Sequence, residues 1–542
     1  MIIIISWSQK LQLLDYTNPQ FDLASGTQTS GGNSLWDSQL GFFGRINYNF
    51  KERYLFEANL RYDGTSKFPK DLQWRWYPSF SFGWRVMEEP WMAFAKPALT
   101  SLKLRGSWGS IGDQSVSNTL YVPTMSGANS YWLHGGARDT YFGTPAAVSS
   151  IITWQDIVTL NVGIDVSLFN GALSASFDWY QRDTKNMIVP GEGFSYTFGT
   201  TAPQGNFGSL RTNGWEVSLN FGHQFASGFR ITASAALSDA LTHITKYGST
   251  TSINAWYEGK EYGEIWGYQV DRLYQNDDFV YENGKLVTMK TSDGYTVNQL
   301  SDPNAPTQGK LQTSSNFKFG PGDVKFKDLN GDGVINNGSQ LIDDYGDLSV
   351  IGNTTPRYEY SFRIGMEYKG VDFSVFFQGV GKRDMWGASP LAIPGFNSSD
   401  GAMSKVIAQD FWYETYDASG DVIDSNYDAF YPRAYNLGAS STGNNMQVSD
   451  RYLLNMAYLR MKNLTIGYTM PRQLTRKAMI NNVRIYVSLE NFLTFDKLRG
   501  LPIDPEEIAG YSLLNRDNYN SSRTGVGVPT FKSASVGLQL TF

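Results

Sequence analysis

Leu160-Asn-Val-Gly-Ile-Asp-Val-Ser-Leu168, then Phe169-Asn-Gly-Ala172, then Leu173-Ser-Ala-Ser-Phe-Asp-Trp-Tyr180 form two alternating runs joined by a short break. Leu160, Val162, Ile164, Val166 and Leu168 share one side of a period of two, and Asn161, Gly163, Asp165 and Ser167 share the other. That is a strand with one apolar face. Asn170-Gly171 reads as a hairpin turn, because both central positions of a type I′ turn need positive φ. Beyond it Leu173, Ala175, Phe177 and Trp179 alternate with Ser174, Ser176, Asp178 and Tyr180.

The same strand-turn-strand unit recurs outward in both directions. It pairs 42–50 with 54–62 across Lys51-Glu52-Arg53, 215–221 with 229–237, and 358–368 with 371–379 across Lys369-Gly370. Further strands fall at 80–86, 102–108, 464–470, 483–493 and 530–542, with a weaker one at 3–13, so the pattern predicts about fourteen strands. Short connections (51–53, 169–172, 222–228, 369–370, 471–482) alternate with long ones (111–155, 182–210, 241–356, 381–456, 495–529), and every second connection is long. A transmembrane β-barrel sorts its connections in this way, with tight turns on one rim and large external loops on the other. A soluble sandwich alternates apolar and polar residues too, but nothing sorts its loops by parity. Mid-strand charges such as Glu57, Arg61, Glu216, Arg363, Glu367 and Glu490 suit a wet lumen and a solvated sandwich face equally.

Composition agrees with a large β architecture. The 542 residues include 15 Trp, 32 Tyr and 33 Phe, with 54 Gly and no Cys. Without cysteine there is no disulfide scaffold and no thiolate metal site. No apolar run reaches the length of a helical span, and mean hydropathy is -0.34, but a barrel strand is only half apolar and escapes that criterion. The net charge of -6 argues against a nucleic-acid partner, which selects Lys/Arg clusters. Met1 to Trp7 has neither the basic flank nor the cleavage site of a signal peptide. At the other end Ala534, Val536, Leu538, Leu540 and Phe542 share one face. An amphipathic strand that ends on an aromatic is similar to the outer-membrane insertion signal of bacterial barrels.

Particular blocks carry a family resemblance. Ala457-Tyr-Leu-Arg-Met-Lys-Asn-Leu-Thr-Ile-Gly-Tyr-Thr-Met-Pro471 followed by Asn482-Val-Arg-Ile-Tyr-Val-Ser-Leu-Glu-Asn-Phe-Leu-Thr494 resembles the C-terminal signature of SusC/RagA-type TonB-dependent outer-membrane transporters. Phe43-Gly-Arg-Ile-Asn-Tyr48, Leu60-Arg-Tyr-Asp-Gly-Thr-Ser66, Gly263-Glu-Ile-Trp-Gly-Tyr268 and Gly322-Asp-Val-Lys-Phe-Lys-Asp-Leu-Asn-Gly-Asp-Gly333 resemble further blocks of that family. The resemblance implies the C-terminal portion of a 22-stranded antiparallel transmembrane barrel in the cell outer membrane. It implies import of glycan or peptide fragments, a SusD-like surface lipoprotein as partner, and energy from the TonB complex. The family's plug, TonB box and signal peptide have no counterpart in residues 1–542, so the chain is expected to be a truncated form, with 241–356 and 381–456 as extracellular loop regions.

One loop carries recognisable chemistry. Asp328-Leu-Asn-Gly-Asp-Gly-Val-Ile-Asn336 has calcium-loop spacing, with oxygen ligands Asp328, Asn330 and Asp332 at positions 1, 3 and 5. Gly333 supplies the sharp turn, the carbonyl of Val334 and the side chain of Asn336 follow, and Ile335 is expected to point inward. The bidentate acid of position 12 is replaced by Ser339, and Asp343 or Asp344 stands close enough to substitute. An Asx-rich turn without metal has the same composition. The expectation is a structural Ca2+.

Other candidates are weaker. His134, His223 and His243 have no triad or metal spacing, and the acid pairs Asp277-Asp278, Glu88-Glu89, Asp343-Asp344 and Glu506-Glu507 sit in predicted loops. No enzyme is expected. Trp256-Tyr257, Trp266, Trp386 and Trp412-Tyr413 suit sugar stacking, but loop packing or a membrane girdle explains each of them more readily. The competing class is a secreted β-sandwich that binds glycans, for which outward aromatics would scatter along the strands instead of gathering at two rims.

Overall fold

The computed structural model describes residues 2–9, 12–13, 24–25, 28–118, 120–248, 251–312, 317–387, 404–434, 444–476, 479–506 and 530–541. Phe542, on which the terminal reading leaned, lies outside them. Among the described residues one fourteen-stranded sheet dominates, with thirteen strands on a single path. In chain order these are β1 (Gln39–Phe50), β2 (Tyr54–Thr65), β3 (Trp74–Arg85), β4 (Leu99–Asp113), β5 (Gln155–Leu168), β6 (Leu173–Pro190) and β7 (Gln204–Gln224). They continue as β8 (Arg230–Lys246), β9 (Arg357–Tyr368), β10 (Val371–Lys382), β11 (Tyr458–Thr469), β12 (Asn482–Glu490) and β13 (Ser533–Thr541). Each strand pairs antiparallel with the next in sequence. Thr494–Asp496, off the path, pairs with the start of β11.

Thirteen of the expected strands are therefore present and in order. The exception is the strand expected at 3–13. Ile2–Gln9 pairs with Gln28–Leu35 in a separate two-stranded ladder, and its partner, Gln-Thr-Ser-Gly-Gly-Asn-Ser-Leu, lacks the alternation that would have revealed it. Several strands outrun their expected bounds. β7 has 21 residues and β6 has 18, where about 9–11 cross a bilayer. Their distal halves are polar, so alternation of apolar residues could not trace them. Loop parity holds with two departures: the connection 66–73 is short although it lies on the long-loop rim, and 86–98 is an extended connection on the opposite rim.

Register separates the two faces. Leu102, Leu104 and Gly106 stand opposite Val166, Ile164 and Val162, which stand opposite Ala175, Phe177 and Trp179, then Leu219, Val217 and Trp215. This apolar face is open: Ile46 is 69% exposed, Val162 52% and Leu538 62%. Aromatics stack at its two ends and also cross its middle, where Phe80 lies between Phe56 and Trp108. Phe42, Tyr62, Trp74 and Trp76 stack toward the long-loop rim, with Tyr62 to Trp76 at 4.3 Å. Phe50, Tyr54 and Trp84 stack at the short-turn rim, and Phe229 meets Tyr368 farther round it. Tyr54 and Tyr62 are eight residues apart, about 26 Å along a strand and about 20 Å of height at the usual barrel tilt, so the rings at the two ends stand near the edges of an apolar band of about 25 Å. A continuous exposed apolar belt of this kind has no place on a soluble protein, and the sandwich alternative fails on it.

The opposite face carries ion pairs that reach across glycines. Arg105 on β4 donates to both oxygens of Asp165 on β5 (2.9 and 2.9 Å) and of Asp178 on β6 (2.6 and 2.7 Å). Gly163 stands directly between them, opposite Arg105 on one side and Asp178 on the other. A Cβ there would lie 2.7 Å from Asp178 and 2.8 Å from Arg105. Gly467 on β11 is the same kind of seat, beneath the pair of Asp372 on β10 and Arg484 on β12. A guanidinium has the reach to cross a strand only when the strand beneath carries no side chain. Gly163→Val should displace Arg105 from both carboxylates; allowing for their partial exposure, we expect a loss of about 1–2 kcal/mol, read as an earlier denaturant midpoint of the detergent-refolded chain, with Arg105→Ala having a similar effect.

Candidate functional site

The largest buried apolar cluster is not in the sheet. It gathers Ile253, Tyr268, Phe317, Phe326 and Ile335 from the β8–β9 connection, Trp386, Ile407, Trp412, Tyr452 and Met456 from the β10–β11 connection, and Leu498, Leu501 and Ile503 from the β12–β13 connection. Three long loops on one rim thus share a single core. Short ladders tie them internally, Glu264–Tyr268 with Leu348–Asn353 and Val270–Leu273 with Val324–Phe326. Arg460, buried at the start of β11, fixes the third loop. Its guanidinium donates to Asp504 (2.6 Å) and to Glu506, and Lys462 also donates to Glu506 (2.7 Å). Burial of Asp504 would push its carboxyl up, but the Arg460 donor and the backbone N–H of Glu506 outweigh it and hold it below the usual range.

The aromatics that the sequence offered for sugar stacking are used in this packing. Tyr257, Trp386 and Trp412 are buried. Trp266 lies against Tyr345, and Trp256 lies between Tyr247 and Tyr262. Tyr413 packs on Phe411 and donates to Asp424. Loop packing, not ligand stacking, explains them.

A different group is exposed. A crevice of about 740 Å³ opens between the first two loops, lined by Asp271, Arg272, Gln275 and Asn276 on one side and Tyr427 and Arg451 on the other. Gln275 and Asn276 are fixed by a capping box over the short turn Asn276–Asp278, in which Asp278 accepts the Gln275 N–H (2.8 Å). Asp278 also takes both Arg272 donors. Glu414, on the hairpin Tyr413–Tyr416 and Val422–Asn426, is the joint between the loops. It accepts from Asn276 (2.5 Å), Tyr427 (2.8 Å) and Tyr416 (2.5 Å), and Tyr281 donates to Asn276 (3.1 Å). Burial pushes the Glu414 carboxyl up, yet its three donors prevail and hold it below the usual range. The bond to Glu414 pushes the Tyr416 hydroxyl up to about 12. Tyr281, Tyr416 and Tyr427 are exposed and donate their hydroxyls to the Glu414 carboxylate or the Asn276 amide, and Tyr427 also lines the crevice. Such a surface can stack on a ring or a planar group and hydrogen-bond its edge. These residues are scattered over 275–451, and no local spacing marked them.

The expected calcium loop is a run of Asx turns. Asp328 accepts from the N–H of Gly331 (2.6 Å) and Gly333 (2.9 Å), Asn330 from Asp332 (2.9 Å), and Asp332 from Val334 (2.7 Å). Gly331 and Gly333 take φ of 76° and 81°, and Asn336 turns its amide to the Val334 carbonyl. Ile335 is fully buried, as its position predicts. Asp344 accepts from the backbone and hydroxyl of Ser339, whose donors hold its carboxyl low. The residue that the sequence did not flag is Asp347, fully buried, which accepts from Leu329 (2.8 Å), Asn330 (3.5 Å) and Asn336 (2.8 Å) and so clasps both ends of the loop. Among the described residues no three His, Cys, Asp or Glu converge as a metal site; the loop itself offers two carboxylates, with amide and carbonyl oxygens besides. The histidines stay apart: His134 pairs with Asp139, His223 meets Phe225, and His243 lies in β8.

Residues 6–303, more than half of the chain, match the family described as TonB dependent receptor-like, beta-barrel. The chain belongs to the TonB-dependent receptor β-barrel family. Within it the chain is of the SusC/RagA type and is an outer-membrane protein. It is 27% identical over 505 residues to TonB-dependent receptor SusC of Bacteroides thetaiotaomicron, covering 91% of this chain and 44% of that protein. It is 25% identical over 519 residues to TonB-dependent receptor P3 of Formosa agariphila, covering 92% and 45%. The solved RagAB peptide transporter has the same fold, with TM-score 0.65 and 19% identity over 99% of this chain and 50% of that one. This receptor barrel therefore spans about half the length of the curated relatives it matches.

Two outcomes follow for the loop domain of this barrel. Asp347→Ala leaves the partly exposed N–H groups of Leu329 and Asn336 without their carboxylate acceptor and should weaken the domain by about 1 kcal/mol, read as faster proteolysis within 247–356 while the strands stay protected. Glu414 sits below its ordinary value, so its contribution is present above the unfolded carboxylate range and is lost as pH falls through the lowered folded value. Backbone exchange in 413–426, corrected for intrinsic rate, should stay flat down to about pH 5 and rise below about pH 4; Glu414→Gln should raise it at neutral pH.

Proposed function

We propose that this chain forms the C-terminal barrel portion of a 22-stranded SusC/RagA-type importer, which brings glycan or peptide fragments across the outer membrane with a SusD-like surface lipoprotein and energy from the TonB complex. The observation that carries the reading is the division of the molecule. Its strands present an apolar belt outward and ion pairs on the other face, while its three longest loops fuse into one cored domain that holds a polar crevice lined by Tyr427 and near Tyr281 and Tyr416. A transporter needs this combination of a wet passage and a recognition surface beside its mouth. Similarity to SusC and to the RagAB peptide transporter supports the same reading. The domain's polar groups are engaged in packing and recognition, and we assign the chain no enzymatic activity.

In this reading a Ca2+ held by Asp328, Asn330, Asp332, the Val334 carbonyl and Asn336 serves as a structural clamp of the first loop. Each carboxylate oxygen there accepts a single hydrogen bond and keeps a further lone pair, so the donor set suits a hard cation. When bound, the ion would supply charge neutralisation and stiffness, with no chemical step.

Calorimetry of the refolded chain with panels of oligosaccharides and of short peptides tests the import reading. One class should bind, and Tyr427→Ala combined with Tyr416→Ala should weaken it about tenfold; failure of both classes to bind would remove the crevice from the proposal. For the clamp, added Ca2+ should slow proteolysis of 247–356, and Asp328→Ala with Asp332→Ala should abolish that protection. No change with Ca2+ in the parent chain would eliminate the clamp.

A further inference from the structure

Among the described residues, the connection 86–98 is the short-turn link that carries its own core, and that core lies on the lipid side of the sheet. Val86, Met87 and Met92 are buried against Trp84, Leu99 and Leu102. Trp84 and Leu102 belong to the apolar face, for Trp84 stands opposite Tyr54 and Leu104, and Leu102 opposite Val166. The segment thus folds back over the outside of the barrel at its rim. Its short 3₁₀ turn, Pro90–Ala95, inserts Met92 inward and turns Trp91 and Phe94 away, 58% and 79% exposed. Trp91 leans on Trp84 with centroids 6.5 Å apart, continuing the girdle outward.

The polar groups of this patch are arranged for an interface. Glu89, nearly buried, is neutralised by the Tyr54 hydroxyl (2.6 Å), the Trp84 indole (3.2 Å) and Arg53 (3.5 Å). Lys51 and Lys96 are exposed on the same rim, and the exposed acids there, Glu52 and Glu88, both lie within ion-pair distance of Arg85. Two large apolar side chains flanked by cations are the pattern of a segment that lies in the headgroup layer. Continuity with the lipid-facing girdle, together with this charge, identifies the occupant as phospholipid.

We propose that residues 86–98 are an interfacial anchor, with Trp91 and Phe94 seated at the headgroup-acyl boundary of the inner leaflet and Lys51 and Lys96 at the lipid phosphates. The anchor holds the short-turn rim at a fixed depth in the bilayer. The inference rests on the outer-membrane reading, and its test separates the two. The chain has no cysteine, so single probes can be placed without background. An environment-sensitive fluorophore is attached at Phe94→Cys, at Val162→Cys in the middle of the apolar belt, and at Ser419→Cys in an exposed external loop. Each protein is refolded into phosphatidylethanolamine/phosphatidylglycerol vesicles with and without brominated acyl chains. The Phe94 probe should be blue-shifted, quenched by brominated lipid and shielded from iodide, like Val162 and unlike Ser419. A water-exposed probe at Phe94 with a lipid-quenched probe at Val162 overturns the anchor and leaves the barrel standing; a water-exposed Val162 overturns the barrel reading itself. A Trp91→Cys probe repeats the measurement, and it should agree with Phe94 if the segment sits in the headgroup layer and with Ser419 if it does not.

Discussion

A chain that crosses hydrocarbon must satisfy every backbone N–H and C=O within itself, because the solvent there offers no partner. The sequential antiparallel path from β1 to β13 is the direct expression of that constraint, since each strand finds its ladder in its immediate neighbour. Once the ladders are made, the period of two sends alternate side chains to lipid and to water. Apolar residues on the lipid side stay largely open apart from the patch under 86–98, so the sheet contributes no central core. The apolar core of this molecule stands instead in the loops on one rim.

That displacement explains the chemistry of each region. On the inner face of the sheet, several charges are paired across strands, and Arg105 and Arg484 reach over an intervening strand where a glycine, Gly163 or Gly467, leaves room for the guanidinium. In the loop domain, polar groups are instead clasped by buried or half-buried carboxylates. Asp347 gathers the Asx-turn loop, Asp278 closes the crevice wall, and Glu414 joins the two loops through Asn276 and two tyrosines. Backbone and side-chain donors converge on few acceptors, which is how irregular backbone remains satisfied away from a ladder.

How far the sequence could be read follows from the same division. Strands were legible because alternation, turn residues and register are all local. Thus 160–168 and 173–180 could be paired through Asn170-Gly171 alone, and the apolar side of β13 could be counted back from its end. The polar extensions of β6 and β7 were not legible, because they lie beyond the membrane and carry no apolar period. Nor was the strand at 28–35, whose residues are mostly small and polar. The loop core was invisible for a different reason: Ile253, Trp412 and Ile503 meet across more than two hundred residues without any repeating pattern. Trp386 and Trp412 therefore looked like possible platforms until their burial was seen. The spacing of Asp328 to Asn336 was readable as a tight loop, and the inward Ile335 followed from it, but Asp347 stands eleven residues beyond Asn336, and only folding brings it back.

The common core of the three loops bears on how such a receptor could diversify. If each loop folded alone, recognition could change by exchanging one segment at a time. Here Leu498, Leu501 and Ile503 complete a packing surface begun near Ile253 and continued through Tyr452. A loop replaced singly would meet partners shaped for its predecessor. Heritable change in the crevice is therefore confined to its exposed lining, residues such as Asn276 and Tyr427, or requires wholesale replacement of the domain on an unchanged barrel. The thirteen-strand meander makes its ladders within itself, so the second route is structurally open where a new domain keeps partners for strand residues such as Arg460.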